Sequence, residues 1–534
     1  ATPVRASAEG AGADHELAHR QIVTILVGLM LGMFLAALDQ TIVATSIRVI
    51  ADDLRGFSIQ AWATTAFLIT STIATPLYGK LSDIYGRKPF FLFAISVFIV
   101  GSALCGLAQS MYQLAIFRAV QGIGAGGLFS LALAIVGDVV PPRQRARYQG
   151  YFLAVFGTAS VVGPVVGGFF AGASSILGIA GWRWIFWINV PVALAALVVV
   201  TKVLNVPHTR QDHRIDWPGA LSLMVGLVPL LIVAEQGRSW GWASGRALLC
   251  YAIGAVGLLA FLACERRYGD EALLPLRLFR GRTFAIGTAS SAIIGMGMLG
   301  GMLLIPLYLQ VVRGSSPTRA GLELIPLVAG IMTGSVFSGQ FVARTGRYRV
   351  LPVAGTALLA ASLLLWSFVG ADTPVGLAMA VMVVLGFGLG CTMQPTVLAV
   401  QNAASPHEIG VSTSSVSFFR SMGGTVGAAV FLSILFAQLP GRVRTAYTDA
   451  ATTPEFQAAI RAQPEQAHLL AQAAGGESGL DDTSFLTRLA APLAHPFKVG
   501  FSESMKVAFL VAAAIVLVGL VVIILAILNL IGMA

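Results

Sequence analysis

The chain has 534 residues, of which 56% are hydrophobic and only 11% are Asp, Glu, Lys or Arg. Because soluble domains contain roughly a quarter charged residues, this composition excludes a soluble enzyme and a soluble nucleic-acid-binding protein. The mean hydropathy of +0.82 indicates that lipid surrounds most of the surface. The net charge of +10 matches the excess of Lys and Arg that membrane proteins carry in cytoplasmic loops, so we expect no nucleic-acid partner.

The polar residues 1–21 predict a disordered cytoplasmic tail, because they lack the apolar core of a signal peptide. Beyond them the chain divides at charged clusters and at Gly, Pro or Asn into apolar segments of roughly 20 residues, enough for a helix to cross about 30 Å of hydrocarbon. We predict fourteen spans, at residues 22–47, 60–79, 89–108, 112–137, 147–172, 183–203, 217–235, 246–265, 284–311, 320–343, 350–370, 373–398, 411–437 and 506–532.

The distribution of basic residues predicts the orientation of these spans. With the N-terminus inside, 19 of the 34 Lys and Arg residues fall in the tail and inner loops, and seven fall in the short outer loops. This asymmetry places both termini in the cytoplasm. The 29 Arg residues against five Lys residues fit a GC-rich bacterial genome, so we expect the inner membrane of a bacterium.

A charged loop between spans 2 and 3 indicates an internal repeat. The stretch 79–89 (GKLSDIYGRKP) returns at 339–349 (GQFVARTGRYR), a shift of 260 residues, and two span 5 glycines recur in span 13 at the same shift. Because transporters are commonly built from repeated halves, we predict an all-α integral membrane protein of 6 + 2 + 6 helices. The predicted units are a six-helix bundle at 22–203, an inserted helix pair with its linkers at 204–283, and a second six-helix bundle at 284–534 that contains an outer loop at 439–503.

Several short motifs occur in the order typical of one family. The loop at 79–88 has the pattern G-x-L-a-D-x-x-G-R-K, and span 5 contains G-P-x-x-G-G. The other matching positions are Leu38, Asp39 and Thr41 in span 1, Arg118, Gln121, Gly122 and Gly124 in span 4, and the stretch 182–191 at the start of span 6. On these residues the chain resembles the major facilitator superfamily, and within it the fourteen-span drug:proton antiporters of the EmrB/QacA type. The resemblance implies a major facilitator fold and transport without covalent chemistry.

Two ionisable residues, Asp39 and Arg118, fall inside predicted spans of the first half. A carboxylate at this depth costs about 2.5–3.5 kcal/mol on insertion scales, so we expect Asp39 to face the interior and to carry the transported proton. A structural carboxylate bonded to Thr41 or Thr45 is the alternative. The resemblance implies that Arg118 adjusts the region of spans 1 and 4 during proton uptake, and a structural bond to helix carbonyls is the alternative.

The loop between spans 2 and 3 predicts a charged latch. Gly86 suits a turn with positive φ, Asp83 is placed to cap span 3, and Arg87 is placed to reach Asp138. The resemblance implies a cytoplasmic latch that locks the outward-open state, formed by Gly79, Asp83, Gly86, Arg87, Lys88 and Asp138. Ala343 replaces the aspartate in the second repeat, so we expect only one complete latch. Topological anchoring by positive charge alone is the alternative.

Span 5 has a face without side chains. At 100° per residue its small residues occupy an arc of about 140°; these are Gly157, Gly163, Pro164, Gly167 and Gly168. Because bare faces let helix backbones approach closely, we predict a seam with Gly330, Gly334 and Ser338 of span 10 that seals the cytoplasmic side. The resemblance identifies the same residues as an antiporter signature.

The residues of the substrate cavity are predicted from their positions in the spans. Aromatic and Met side chains suit an adaptable apolar pocket, although at helical spacing they also suit a core. The candidates are Phe34, Trp62, Phe67, Met393, Gln394 and Phe418, with Glu323 and Arg420 as charged contacts. A simple i, i+4 pair with Arg319 is the alternative role of Glu323. Neither the four cysteines nor the seven histidines have metal-ligand or disulfide spacing.

These observations predict a proton-driven exporter of amphiphilic, cationic or lipophilic compounds that works by alternating access. We expect no cofactor, because the proton gradient supplies the energy and the chain has no phosphate loop. Export of an endogenous lipid or glycolipid is one alternative, and a receptor or scaffold that does not transport is another. The expected partners are membrane lipids and a small amphiphilic or lipid substrate. The segment 439–503 covers the cavity mouth or contacts an envelope partner, and we expect a monomer.

Overall fold

The computed structural model describes residues 19–54, 61–140, 142–204, 216–347, 350–405, 408–466, 470, 486 and 489–531. These residues are almost entirely helical, as predicted. Most of the predicted tail at 1–21 and the linker at 205–215 lie outside the described residues.

The helices follow one another with short connections. The first group is α1 (His19–Asp53), α2 (Ala61–Tyr85), α3 (Arg87–Gly106), α4 (Met111–Val139), α5 (Pro142–Gly172), α6 (Gly181–Trp187) and α7 (Asn189–Val203). A two-stranded antiparallel hairpin, β1 (Ser175–Ile176) and β2 (Ile179–Ala180), joins α5 to α6 with Ser175 opposite Ala180. A helix pair follows, α8 (Trp217–Trp240) and α9 (Gly245–Tyr268). The last group is α10 (Arg282–Leu307), α11 (Pro317–Glu323), α12 (Ile325–Thr345), α13 (Val350–Trp366), α14 (Val375–Ala403), α15 (Ile409–Ala450), α16 (Pro454–Ala462) and α17 (Ala491–Ile531).

Local chemistry sets several of the helix starts. The Ser110 side chain accepts from the Gln113 amide at the start of α4, and the Ser244 side chain accepts from the Ala247 amide at the start of α9. Between α2 and α3 only Gly86 intervenes, with φ of 102°. This left-handed conformation favours glycine and turns the chain abruptly, as predicted.

The helices pack as two bundles that face each other. In the first bundle α4 lies against α2 and α3, and α1 lies against α5 and α7. In the second, α14 lies against α12 and α13, and α15 lies against α10 and α17. The α8–α9 pair packs on itself and touches α2 and α15, one helix from each bundle. The bundles meet where α5 packs on α12 and where α2 and α4 pack on α15.

Among the described residues, twelve helical segments are long and apolar enough to cross a membrane. Two further helices, α2 and α13, lie within the bundles but outside that set. The α2 sequence contains five Thr and two Ser residues, which lower its hydropathy, and α13 has only 17 residues. The predicted count of fourteen spans is therefore not confirmed.

The predicted outer loop at 439–503 is partly helical, and the helices on either side of it extend further than the predicted spans. Helix α15 continues to Ala450, and α17 already begins at Ala491. These extensions pack on each other because Leu439, Val443 and Tyr447 share a buried cluster with residues of α17. The Tyr447 hydroxyl also donates to the Leu493 carbonyl over 3.1 Å. The polar stretch 471–485 lies outside the described residues.

Candidate functional site

A buried ion pair joins α1 to α4. Arg118 Nη1 contacts Asp39 Oδ2, and both side chains are at most 1% exposed. Arg118 also donates through Nε to the Ala63 carbonyl over 3.3 Å, and its guanidinium lies 4.1 Å from the centre of the Phe67 ring. The arginine therefore connects Asp39 with two residues of α2.

Asp39 has two further hydrogen-bond donors. Its Oδ1 accepts from Gln121 Nε2 over 2.9 Å and from Asn189 Nδ2 over 2.8 Å. Gln121 and Asn189 both donate to the Ser102 hydroxyl as well. Gly101 lets α3 and α4 approach closely enough for these hydrogen bonds, because a Cβ there would lie 2.6 Å from the Gln121 backbone. The carboxylate thus sits in a network from four helices, which offsets the cost of burying its charge.

The sequence predicted Asp39 and Arg118 separately and did not predict their pairing. No acidic residue lies within one turn of Arg118 in the sequence, and its partner Asp39 comes from another helix. Gln121 and Asn189 belong to the matched motifs, but Ser102 is a plain serine in an apolar run and carries no signal. Thr41, the predicted alternative partner of Asp39, instead bonds to backbone carbonyls, including that of Ala159.

A second charged cluster, here called the latch, lies where α2 meets α3. Arg87 pairs with Asp83 through Nη1 and with Asp138 through Nε, the latter over 2.6 Å. Ser82 completes the cluster, because its hydroxyl accepts from Arg87 over 2.6 Å. The predicted contact between Arg87 and Asp138 is therefore present. Lys88 lies outside the cluster and donates to the Thr201 carbonyl, which corrects its assignment to the latch.

The latch holds the two bundles together. Asp83 accepts from the backbone amides of Gly410 over 3.2 Å and of Val411 over 2.7 Å, at the start of α15. An anionic carboxylate at a helix N-terminus satisfies free amides and interacts favourably with the helix dipole. The prediction that Asp83 caps span 3 is wrong, because the capped helix belongs to the other half of the chain. Gly79 allows this approach, since a Cβ there would overlap the Ser414 side chain.

No matching cluster is formed by the described residues of the second repeat. Ala343 stands where the aspartate would be, and Arg347 is exposed beyond the end of α12. The charged side chains of the latch therefore come from the first repeat alone, and the second half contributes the backbone amides of Gly410 and Val411.

We predict that Arg87→Ala weakens the contact between the bundles at the latch end. Removing one partner of a buried ion pair typically costs about 3–5 kcal/mol, because the other charges remain buried. Spin labels on the α4–α5 and α14–α15 connections should report longer and broader distances in the variant. Arg347→Ala, at the exposed equivalent position, is the control and should leave the distances unchanged. Equal distances in both variants would contradict a latch at Arg87.

The bare face of α5 packs against different helices along its length. A Cβ at Gly163 would overlap Thr41 Oγ1 of α1, and the Gly167 carbonyl accepts from Ser46 of α1 over 3.3 Å. By contrast, a Cβ at Gly157 would lie 2.6 Å from Val328 of α12. Gly168, in the same helix, is partly buried.

The predicted seam between span 5 and the span 10 glycines is therefore wrong in its partners. Cβ atoms at Gly330 and Gly334 would meet the backbone of α14 at Val383 and Phe387. Pro164 of α5 instead contacts Gly321 of α11. Since α5 starts at the latch end, these contacts with α11 and α12 run from its midpoint toward the opposite end. The bundles thus touch on both sides of their centre, not only at the predicted cytoplasmic side.

A central cavity lies between the two bundles. Its polar lining comes from Gln40, Ser71, Thr72, Thr75, Gln394, Ser417, Arg420, Ser421 and Thr425. Its apolar lining comes from Met33, Phe67, Leu68, Gly126, Phe129, Leu133, Phe152, Phe156, Met298, Leu299, Met393 and Val397. Four predicted residues therefore line it, namely Phe67, Met393, Gln394 and Arg420.

Four other predicted cavity residues lie elsewhere. Phe418 packs in a buried cluster with residues of α2, α8 and α9. Glu323 pairs with Arg319 over 2.9 Å, which is the i, i+4 pair predicted as its alternative role. It also accepts a hydrogen bond from the Ser315 hydroxyl. Phe34 packs against the cluster around α1, α5 and α6, and Trp62 is a partly buried residue at the start of α2. Sequence position placed them in the correct helices but not on the cavity face.

Two helical bundles around a central cavity, with a buried ion pair beside it, define a multi-pass membrane transporter. Residues 29–428 match the Major Facilitator Superfamily. An uncharacterized MFS-type transporter of Mycobacterium tuberculosis is 37% identical over 500 residues, which cover 93% of this chain and 68% of the relative. The multidrug transporter protein MdtP of Bacillus subtilis is 35% identical over 415 residues, covering 78% of this chain and 75% of the relative.

Solved structures support the same fold. The proton:xylose symporter XylE aligns with a TM-score of 0.57 at 16% identity, over 93% of this chain and 95% of that chain. The chain belongs to the Major Facilitator Superfamily, and it is a transporter rather than an enzyme.

Proposed function

We propose that this protein is a proton-driven exporter of amphiphilic compounds, of the fourteen-span antiporter type. The observation that supports this proposal most directly is the position of the Asp39–Arg118 pair. Asp39 precedes Gln40, which lines the cavity, and Arg118 stacks on Phe67, which also lines it. A titratable carboxylate one residue from the substrate space is suited to couple proton binding to substrate binding.

The contacts of the pair suggest how coupling reaches the latch. Protonation of Asp39 removes the negative charge that holds Arg118, so the guanidinium loses its ion pair while it still contacts Ala63 and Phe67 of α2. The other end of α2 carries Gly79 and Asp83, which contact α15. A shift of α2 therefore changes the cavity wall and the contact between the bundles together.

We propose that the latch end faces the cytoplasm of a bacterial inner membrane and that α2 and α13 cross the membrane with the other twelve segments. The excess of Lys and Arg in the loops at that end supports this orientation. The relative MdtP is a multidrug transporter by name, which supports export of diverse amphiphilic compounds.

Transport by purified protein in liposomes tests the proposal. We expect an imposed pH gradient to drive accumulation of an amphiphilic fluorescent dye, and a protonophore to abolish it. Counterflow exchange of the dye without a gradient should remain. If neither accumulation nor counterflow occurred while the dye still bound, the protein would be a receptor rather than a transporter.

A further inference from the structure

Among the described residues that line the cavity, one carries a formal charge. Arg420 of α15 is positive, and none of the other described lining residues is ionisable near neutral pH. Among the ion pairs of the described part of the chain, none involves Arg420. The neighbouring carboxylate of Asp39 is fully buried and is already paired with Arg118. The charge that faces the cavity is therefore positive.

Arg420 stands among hydroxyl groups on one face of α15. Ser417, Ser421 and Thr425 also line the cavity, at spacings of three and four residues that place them on one side of a helix. The Ser417 side chain is 4% exposed, and its Oγ has no hydrogen-bond partner among the described residues. A buried hydroxyl without a partner costs free energy. A ligand that forms a hydrogen bond with Ser417 removes this cost.

The backbone around Arg420 is fixed by close helix packing. A Cβ at Gly295 of α10 would overlap the Arg420 carbonyl, and a Cβ at Gly423 would overlap the Ala292 carbonyl. These two glycines let α10 and α15 approach closely, so the Arg420 side chain is presented from a tightly held position. Other parts of the wall are apolar and adaptable, with Met33, Phe129, Phe156 and Met393 among the lining residues.

We propose that the cavity binds amphiphiles with an anionic headgroup, such as a carboxylate or a sulfonate, and an apolar body. This inference rests on the proposed export function. The Arg420 guanidinium donates to the headgroup and the Ser417 hydroxyl adds a hydrogen bond, while the apolar body lies against the Met and Phe side chains. A cationic amphiphile of the same size would be repelled by Arg420 and would meet no carboxylate among the lining residues that the structure describes. The substrate class is therefore anionic rather than cationic.

Dansyl compounds of opposite charge test this assignment. Dansylglycine carries a carboxylate and dansylcadaverine carries an ammonium group on the same fluorophore, and dansylamide is neutral. We expect purified protein in detergent to bind dansylglycine more tightly than the other two. In Arg420→Gln the affinity for dansylglycine should fall on the order of tenfold or more, as expected for loss of a charge-assisted bond. Arg420→Lys should retain part of the preference, and dansylcadaverine should bind no more weakly to Arg420→Gln than to the unaltered protein.

The outcomes separate this proposal from the proposed function. Preference for dansylcadaverine, or an unchanged affinity ratio in Arg420→Gln, would overturn the anionic assignment. Loss of binding of all three probes in Arg420→Gln, with loss of the preference in Arg420→Lys as well, would also overturn it, because Arg420 would then act in folding. If dansylglycine bound as expected but no pH gradient moved it in liposomes, the proposed export would fail while the ligand assignment stood.

Discussion

The Asp39→Asn protein is expected to lose export driven by a pH gradient, down to the level of empty liposomes, while it still binds substrate. The amide has nearly the shape of the carboxylate but cannot carry a proton through a transport cycle. Because the cavity is lined by Gln40 and not by Asp39 itself, substrate binding should persist. Gradient-driven dye accumulation, measured beside equilibrium binding, checks both statements.

The structure shows that Asp39→Asn also leaves a buried charge unpaired, and that a second substitution removes this charge. In Asp39→Asn the Arg118 charge stays buried without its partner, a loss that typically costs about 3–5 kcal/mol. The double variant Asp39→Asn/Arg118→Gln removes the unpaired charge, and it should regain thermal stability without regaining gradient-driven export. Asp372→Asn is the control, since that side chain is 82% exposed in a surface pair with His495. Export by the stable double variant at the original rate would rule out Asp39 as the proton carrier.

Gly163→Ala is expected to impair export strongly, because the added Cβ would overlap Thr41 Oγ1 of α1. Overpacking of this kind typically costs about 1–3 kcal/mol. Thr41 is two residues from Asp39, so the displaced segment of α1 carries the network around Asp39 with it. We expect reduced gradient-driven export together with a faster passive proton leak, both measured in the same liposomes.

A matched pair of variants isolates the contact. Val165→Leu alters a neighbouring side chain that is 39% exposed and should be nearly silent. Thr41→Gly, added to Gly163→Ala, removes both the hydroxyl and the Cβ that would overlap and should restore part of the export. If Val165→Leu were as harmful as Gly163→Ala, or if Thr41→Gly gave no rescue, close packing of α1 on α5 would not explain the effect.

The sequence predicted features that depend on one segment or on two consecutive spans. The positive φ of Gly86 follows from a glycine between two helices, and the Arg87–Asp138 contact follows from an arginine just before span 3 and an aspartate just after span 4, at the same end of the two spans. The buried position of Asp39 follows from the high cost of a charge at that depth.

Features that depend on the placement of separate helices were not predictable. Nothing in the local sequence says that Asp83 caps α15, because Gly410 and Val411 lie more than 320 residues away and contribute only backbone amides. The glycines of span 5 predicted a close contact but not its partner, since a bare face accepts any helix that fits. For the same reason Phe418 was placed in the correct span but on the wrong face.

The central claim is that substrate and protons move in opposite directions through one cycle. Its most direct test is simultaneous measurement of dye movement and internal pH in liposomes that start without a pH gradient. A dye gradient imposed alone should drive protons in the opposite direction, and Asp39→Asn should abolish this proton movement. Dye movement at the full rate with no accompanying proton movement in the unaltered protein would contradict the claim.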